Sequence, residues 1–405
     1  MALTLLIDLD NTLLSNDLQT FLPAYLQTLG EHLKKYAKPE LLVRALMDAT
    51  QRMIENRQPN LTLKEVFDAA FYPALGLQPQ DMQEAITAFY QEVFPTLRRY
   101  TQPRPEAQVL VEQALGKGYE IVIATSPLFP RVAIIQRLEW AGISSYLHNL
   151  RLITSYENFH FCKPNPAYYT EILADLGWLD GGAVMIGDDL VNDILPASRA
   201  GLPVFWIDPT ADQNPLSTSS PHASGSLGEV LPWIEAMGEA HLQPNLPHEP
   251  DSLLAALMAT PAALDSLVPS LPAEVMTKRP QDKEWCITEV LCHLRDVESE
   301  VNLPRICKLV AETNPFLPGM DTDRWAEERQ YLHQDGYQAL AAFTRARMAL
   351  LALLEQLDAE GWRRPARHAI FGPTHFEELV AIIAEHDRIH IQQIHATLRQ
   401  VHPSC

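Results

Sequence analysis

The run Leu5-Leu6-Ile7-Asp8-Leu9-Asp10-Asn11-Thr12 decides how this chain is read. Residues 3–8 form a short unbroken apolar segment that ends on a carboxylate. Such a run, without alternation, is what a strand covered on both faces of a parallel sheet needs. Downstream the rhythm divides. From Leu18 to Leu97 it is helical, with segments near 18–35, 39–56, 62–75 and 79–94 broken at Pro39, Pro59, Gly76 and Pro95. After Pro105 the units alternate: helix 106–116, strand 120–125, helix 131–141, strand 150–153, helix 166–176, strand 183–188, a helix to Ala200 and strand 203–208. Strands separated by helices at this spacing predict an α/β fold with a doubly wound parallel sheet. The helical block, about 16–100, is then an insertion after the first strand.

Residues 209–250 are rich in Pro, Ser and His, with one short helical pattern at 227–237. The better linker is 241–250. Beyond it no strand pattern is visible. Helices near 251–268, 286–313, 335–358 and 374–400 predict an all-α four-helix bundle. The expected division is therefore 1–240, a linker at 241–250, and 251–405.

A chain of 405 residues exceeds one compact core, in keeping with two domains. Lys+Arg of 31 against Asp+Glu of 51 gives a net charge of −20, which repels a phosphate backbone, so nucleic acid is not an expected partner. A small phosphorylated substrate is not excluded, because a metal and one Lys can reverse the local field. The N-terminus lacks a basic leader, and no stretch reaches the ~18 uncharged apolar residues of a membrane span, so no membrane partner is expected. The five cysteines have no paired spacing and read as free thiols of a cytoplasmic protein.

In doubly wound sheets ligands sit at the carboxyl ends of the strands. Asp8/Asp10/Thr12, Thr125-Ser126, Lys163 and Asp188/Asp189/Asp193 all fall at such positions. Singly, any of these carboxylates could cap a helix or a turn. Together, three carboxylates and a Lys converging from distant points call for a hard cation with oxygen ligands, most simply Mg²⁺.

Asp8-Leu9-Asp10-Asn11-Thr12-Leu13, Ala124-Thr125-Ser126, Lys163-Pro164-Asn165-Pro166 and Gly187-Asp188-Asp189-Leu190-Val191-Asn192-Asp193 resemble the four motifs of the haloacid dehalogenase (HAD) superfamily. The resemblance covers about residues 1–208 and implies a HAD-like fold with a helical cap. It implies that Asp8 attacks phosphorus and becomes an aspartyl-phosphate, and that Asp10 protonates the leaving oxygen and then activates water. It implies that Thr125 holds a phosphoryl oxygen and that Lys163 offsets charge on Asp8 and the phosphoryl group. Mg²⁺ would lie on Asp8, Asp188 and the Asp10 backbone carbonyl, with Asp193 or Asp189 behind. Asp at 10 and Thr at 12 resemble the phosphatases of the superfamily; its dehalogenases have no carboxylate at 10.

A second constellation lies in Glu385-His386-Asp387-Arg388-Ile389-His390. His386 and His390 are four apart on one helix, about 40° around the axis, so one metal can take both rings. His293, on another helix in a stripe with Glu289, Asp296 and Glu300, offers a third ligand. Three His with an open position describe a catalytic type of transition-metal site. Trp285, Glu289, His293-Leu294, Gly372-Pro373-Thr374 and His386-Asp387-(x2)-His390 resemble the DinB-like (DinB/YfiT) superfamily of four-helix bundles over about 251–400. That resemblance implies His293, His386 and His390 as ligands of Zn²⁺ or Ni²⁺, and for some members a thiol-dependent transferase with a low-molecular-weight thiol as partner.

Two readings follow. In one the chain is a bifunctional enzyme: a phosphatase joined to a metal-dependent bundle. In the other the phosphatase is the only enzyme, and the bundle is a metal-stabilised interaction or homodimerisation module.

Overall fold

The computed structural model describes residues 2–178, 181–208 and 221–402, so Cys405 lies outside the described residues. In chain order the first strands are β1 (Thr4–Ile7), β2 (Leu14–Asn16), β3 (Thr101–Pro103), β4 (Glu120–Ile123), β5 (Leu150–Ile153), β6 (Ala183–Gly187), β7 (Val204–Ile207) and β8 (His222–Gly225). Six of them form a parallel sheet in the order β5-β4-β1-β6-β7-β8. The unbroken apolar run puts β1 in the interior, and Leu5, Leu6 and Ile7 are fully buried. Strand order reverses around β1, the place where doubly wound sheets open a crevice.

The insertion carries the helices Leu18–His32, Pro39–Ile54, Leu63–Leu75 and Pro79–Ala88, close to the spans read from periodicity. A capping box at Thr62–Glu65 starts the third, and Gly76, in the left-handed region at φ +69°, ends it. The last expected segment changes pitch instead of continuing, through a wide turn at Phe89–Val93 and a tight one at Phe94–Tyr100. The insertion leaves and re-enters the sheet domain through β2 and β3, which pair antiparallel, Leu14 opposite Pro103 and Asn16 opposite Thr101. At three residues each, neither strand shows a period. The edge strand β8, His-Ala-Ser-Gly, has no apolar signal and falls inside the stretch expected to be irregular.

Internal contacts divide the chain into two compact units: 1–57 with 61–165 and 180–245, and 58–60 with 166–179 and 246–405. The cut does not follow chain order. Helix Pro166–Asp175 groups with the second unit, where the Thr170 hydroxyl donates to the Ala255 carbonyl at 2.8 Å.

The second unit is built on helices Pro250–Leu267, Ile287–Val297 continuing to Leu303–Ala311, Gly336–Leu354 and Phe376–Val401. The second of these was expected as one helix over 286–313; a single wide turn at Glu298–Asn302 interrupts it. Pro250–Ser270 is long and apolar enough, by length and composition, to cross a membrane, but 72% of that window is buried among neighbouring elements, as in a core helix. The expectation of no strands here is corrected. Phe316–Leu317 runs parallel to Pro365–His368, which pairs antiparallel with Gly372–His375. Arg, His, Pro and Gly in these segments hide the strand signal.

Candidate active site and metal centre

The register of the parallel sheet assembles the first site. Ile7 is level with Ile123 and Ile186, so the residues just beyond these three positions emerge side by side. Those residues are Asp8, Ala124-Thr125 and Gly187-Asp188. Asp8 donates its backbone N–H to the Ile186 carbonyl at 2.9 Å, and Ala124 donates to Ile7 at 2.9 Å. Lys163 then places its ammonium 2.6 Å from Asp8 Oδ1 and 2.5 Å from Asp193 Oδ1, with all three side chains buried. Asp8, Asp188 and Asp193 bring carboxylate oxygens within 4.8 Å of one another. The Thr12 hydroxyl reaches Asp188 Oδ1 at 3.4 Å. Gly187 is needed for this approach: a Cβ there would stand 2.3 Å from Asp193 Oδ2.

The electrostatics follow from burial. Desolvation pushes Asp8 up to about 7, against the pull of Lys163 and with help from Asp193 and Asp10. It does the same to Asp188, again to about 7, with Asp8 and Asp189 adding repulsion. Asp193 is also raised by burial, opposed by Lys163. One ammonium among three carboxylates leaves an excess of negative charge on oxygen donors alone. Those residues fit a hard divalent cation.

Asp10 stands apart from this cluster. Its Oδ1 is ion-paired with the fully buried Arg137 and accepts from Asn16 Nδ2 at 2.8 Å. Asp189 caps the next turn, accepting from Val191 and Asn192 backbone N–H groups at 2.8 and 3.0 Å. Thr125 is buried just past β4. Arg137 and Asn16 were not singled out from sequence. An Arg in a helix that also carries Arg131, Gln136 and Glu139 reads as one more solvated charge until Asp10 is seen beside it.

In the second unit the Nε2 atoms of His293 and His390 lie 3.2 and 3.1 Å from Nε2 of His386. Two nitrogens bound tetrahedrally to one Zn²⁺ at ~2.05 Å would stand about 3.3 Å apart, so the three rings already have the spacing of a metal's ligands. Burial, then the neighbouring rings His390 and His386, hold His293 down to about 3. Burial and His390 do the same to His386, and burial lowers His390. The rings are therefore neutral, the form that ligates. His390 Nδ1 donates to Gln393 Oε1 at 2.9 Å, which frees its Nε2 lone pair for the centre. Gln393 was missed, although its i+3 spacing from His390 could have flagged it. Trp285 stacks on His390 with ring centroids 6.3 Å apart.

The acidic stripe beside His293 does other work. Glu289 caps its own helix at Cys286 and pairs with Arg279, while Asp296 is held by Arg295, Arg329 and Tyr331, and Glu300 by Arg329. Cys292 faces Gln334, and burial pushes its thiol up to about 11. Arg347 is a fully buried charge of the unit. It pairs with Glu298 at 2.5 Å and Asp387 at 2.5 Å and donates to the Leu257 carbonyl at 3.0 Å. Asp387 adjoins His386 in sequence, so this pair sets the helix that carries two of the three rings.

Both regions of the chain are similar to known families. The haloacid dehalogenase-like hydrolase model matches residues 5–207, and the DinB superfamily model matches 256–394. The ribulose-1,5-bisphosphate 5-phosphatase of Halopiger xanaduensis is 29% identical over 138 residues, 32% of this chain and 56% of that protein. The phosphoserine phosphatase of Thermus thermophilus is 27% identical over 173 residues, 42% of this chain and 63% of that protein. The chain thus spans less than two thirds of the length of these relatives. Among solved structures, a HAD phosphatase from Thermococcus onnurineus is 18% identical, covering 59% of this chain and 99% of its own, at a TM-score of 0.37. YfiT from Bacillus subtilis, a four-helix bundle of unusual topology, is 22% identical, covering 37% and 86%, at a TM-score of 0.35.

Proposed function

Because the chain belongs to the haloacid dehalogenase-like hydrolases, we propose that its first unit hydrolyses a small phosphate monoester through a phosphorylated Asp8. The observation that carries this reading is the Lys163 ammonium held between Asp8 and Asp193, with Asp188 beside them. An Asp8 carboxylate oxygen attacks phosphorus, and the ester P–O bond breaks as Asp10 gives its proton to the leaving alkoxide. Asp10, now a carboxylate, takes a proton from water. That water attacks the same phosphorus, releasing inorganic phosphate and restoring Asp8. Lys163 faces the charge that builds on Asp8 and the phosphoryl oxygens. Arg137 and Asn16 act through Asp10, fixing its carboxyl in place. Mg²⁺ on Asp8, Asp188 and the Asp10 carbonyl would supply the charge neutralisation and orient the phosphate. Phosphate release from a panel of phosphorylated metabolites, with and without Mg²⁺, tests this; release from at least one, abolished by chelator, is expected. A folded protein inert toward every phosphoester would overturn it.

For the second unit the proposal is a Zn²⁺ or Ni²⁺ site on His293, His386 and His390, with thiol-dependent transfer as its activity. The alternative, a bundle stabilised by metal for interaction or homodimerisation, shares the site and lacks the turnover. Elemental analysis of the full-length protein should find about one transition metal per chain. The His386→Ala/His390→Ala variant should carry none, and equal metal in the two proteins would sink the site. Cys286, Cys292 and Cys307 are free thiols, in keeping with a reducing cytoplasm as the proposed location.

A further inference from the structure

We propose that a cavity in the second unit, one wall of which is His386, binds a small carboxylate with a ring-sized apolar body through Arg305 and His368. The inference rests on the metal-centre reading above and adds to it the class of compound presented to that centre. The cavity is about 170 Å³ and is walled by Val301, Ile306, Leu309, Leu317 and Ile383. A dry apolar cavity of ~150 Å³ takes one benzene, so the body it encloses is about one ring. Met320 and Phe371, both half exposed, extend the apolar surface at the mouth.

The polar residues of this lining are Asn302, Arg305, Thr322, His368 and His386. Asn302 spends its amide N–H on Glu298 at 2.8 Å, and Arg305 and His368 are the two donors proposed for the carboxylate. His368 is only 4% exposed. Its Nδ1 accepts from the backbone N–H groups of Ile370 at 3.2 Å and Phe371 at 3.4 Å, so the ring proton is on Nε2. That Nε2–H is buried and has no partner. A buried donor without an acceptor is costly, and a ligand acceptor removes that cost. The Phe371 ring lies on His368 at 4.7 Å and holds its plane.

Arg305 lines the same cavity and donates to the Pro318 carbonyl at 2.8 Å. Among the described residues no carboxylate offsets its charge, unlike Arg295, Arg329 and Arg347 of the same unit. Burial draws the guanidinium below its ordinary value, and its charge in turn lowers His368. A positive fork and one neutral N–H, with apolar walls between, match a planar monoanion whose two oxygens divide between them. A phosphate dianion would leave charge unmet by so few donors. Because His386 closes one side of the cavity, the ligand's body would rest against the three-histidine centre.

The probes are benzoate and its neutral isostere benzamide, titrated calorimetrically into the full-length protein. Benzoate should bind about tenfold or more tightly than benzamide, the margin of a charge-assisted hydrogen-bond pair. Arg305→Gln should erase that preference, and Arg305→Lys should restore part of it. Should Arg305→Gln fail to fold, His368→Gln serves in its place, with a several-fold loss expected. Retention of the preference in His386→Ala/His390→Ala would support the subsite even if the metal assignment failed. Loss of benzoate binding in that variant, with Arg305→Gln unaffected, would put the carboxylate on the metal and overturn the proposal. Equal affinity for the two probes, or no binding of either, would overturn it as well.

Discussion

Asp8→Asn is expected to reduce Mg²⁺-dependent phosphate release by about 10⁴-fold or more, the order of loss when a covalent nucleophile is removed. The amide has the volume of the carboxylate but no electron pair of comparable nucleophilicity, and it cannot carry the phosphoryl group. The fold should not suffer. Burial raises Asp8 to about 7, above the value it has in an unfolded chain. A group shifted that way stabilises the fold at low pH and loses that contribution as pH rises through its folded value. At about pH 8 without metal, the charged Asp8 is therefore a burden that an amide lacks. Lys163 keeps Asp193 as its partner at 2.5 Å. Melting of Asp8→Asn at that pH should come no lower than that of the native chain. Phosphate release within tenfold of native would remove Asp8 from the nucleophile's role.

Arg347→Met should destabilise the second unit by about 3–5 kcal/mol, the cost of leaving buried charge without its partner. Arg347 is fully buried, and its fork holds Glu298 through two contacts, at 2.5 and 3.0 Å, and Asp387 through two more, at 2.5 and 3.2 Å. Removing it strands two carboxylates among apolar side chains, and among the described residues only Asn302, at 2.8 Å from Glu298, remains to help. Because the chain has two compact units, unfolding need not be a single transition. The bundle's transition is the one that should move, followed by the Trp285 signal. Neutralising the acids as well, in Arg347→Met/Glu298→Gln/Asp387→Asn, should recover much of the loss. A shift of the single variant below about 1 kcal/mol would show that these charges are solvated.

What could be read from sequence was decided by distance along the chain. Leu5–Ile7 announces β1 because the run is continuous and local, and Asp8 follows at its end. The three rings on two helices were legible because His386 and His390 share a face and His293 lies on an amphipathic stripe. Arg137 and Arg347 were not legible. Each sits in a helix, where an Arg is normally a solvated tip, and their partners are 127, 49 and 40 positions away. Only folding turns them inward. The strands β2, β3 and β8 and the small sheet around Pro365–His368 are too short or too polar to show a period. Helix Pro166–Asp175 gave little hint of its burial: Thr170 and Glu171, polar in the sequence, are as buried as Tyr168, Tyr169, Ile172 and Leu173.

The β2–β3 pairing has a consequence for how such a chain can diversify. Both ends of the helical insertion are clasped together by Leu14–Asn16 and Thr101–Pro103, so the sheet domain sees the same two-stranded neck whatever lies between. The entropy of closing that excursion grows only slowly with its length. The insertion can thus be lengthened, shortened or exchanged as a cassette while Asp8, Lys163 and Asp188 keep their places at the strand ends. Specificity and chemistry are inherited on separate pieces of the chain, joined by six residues.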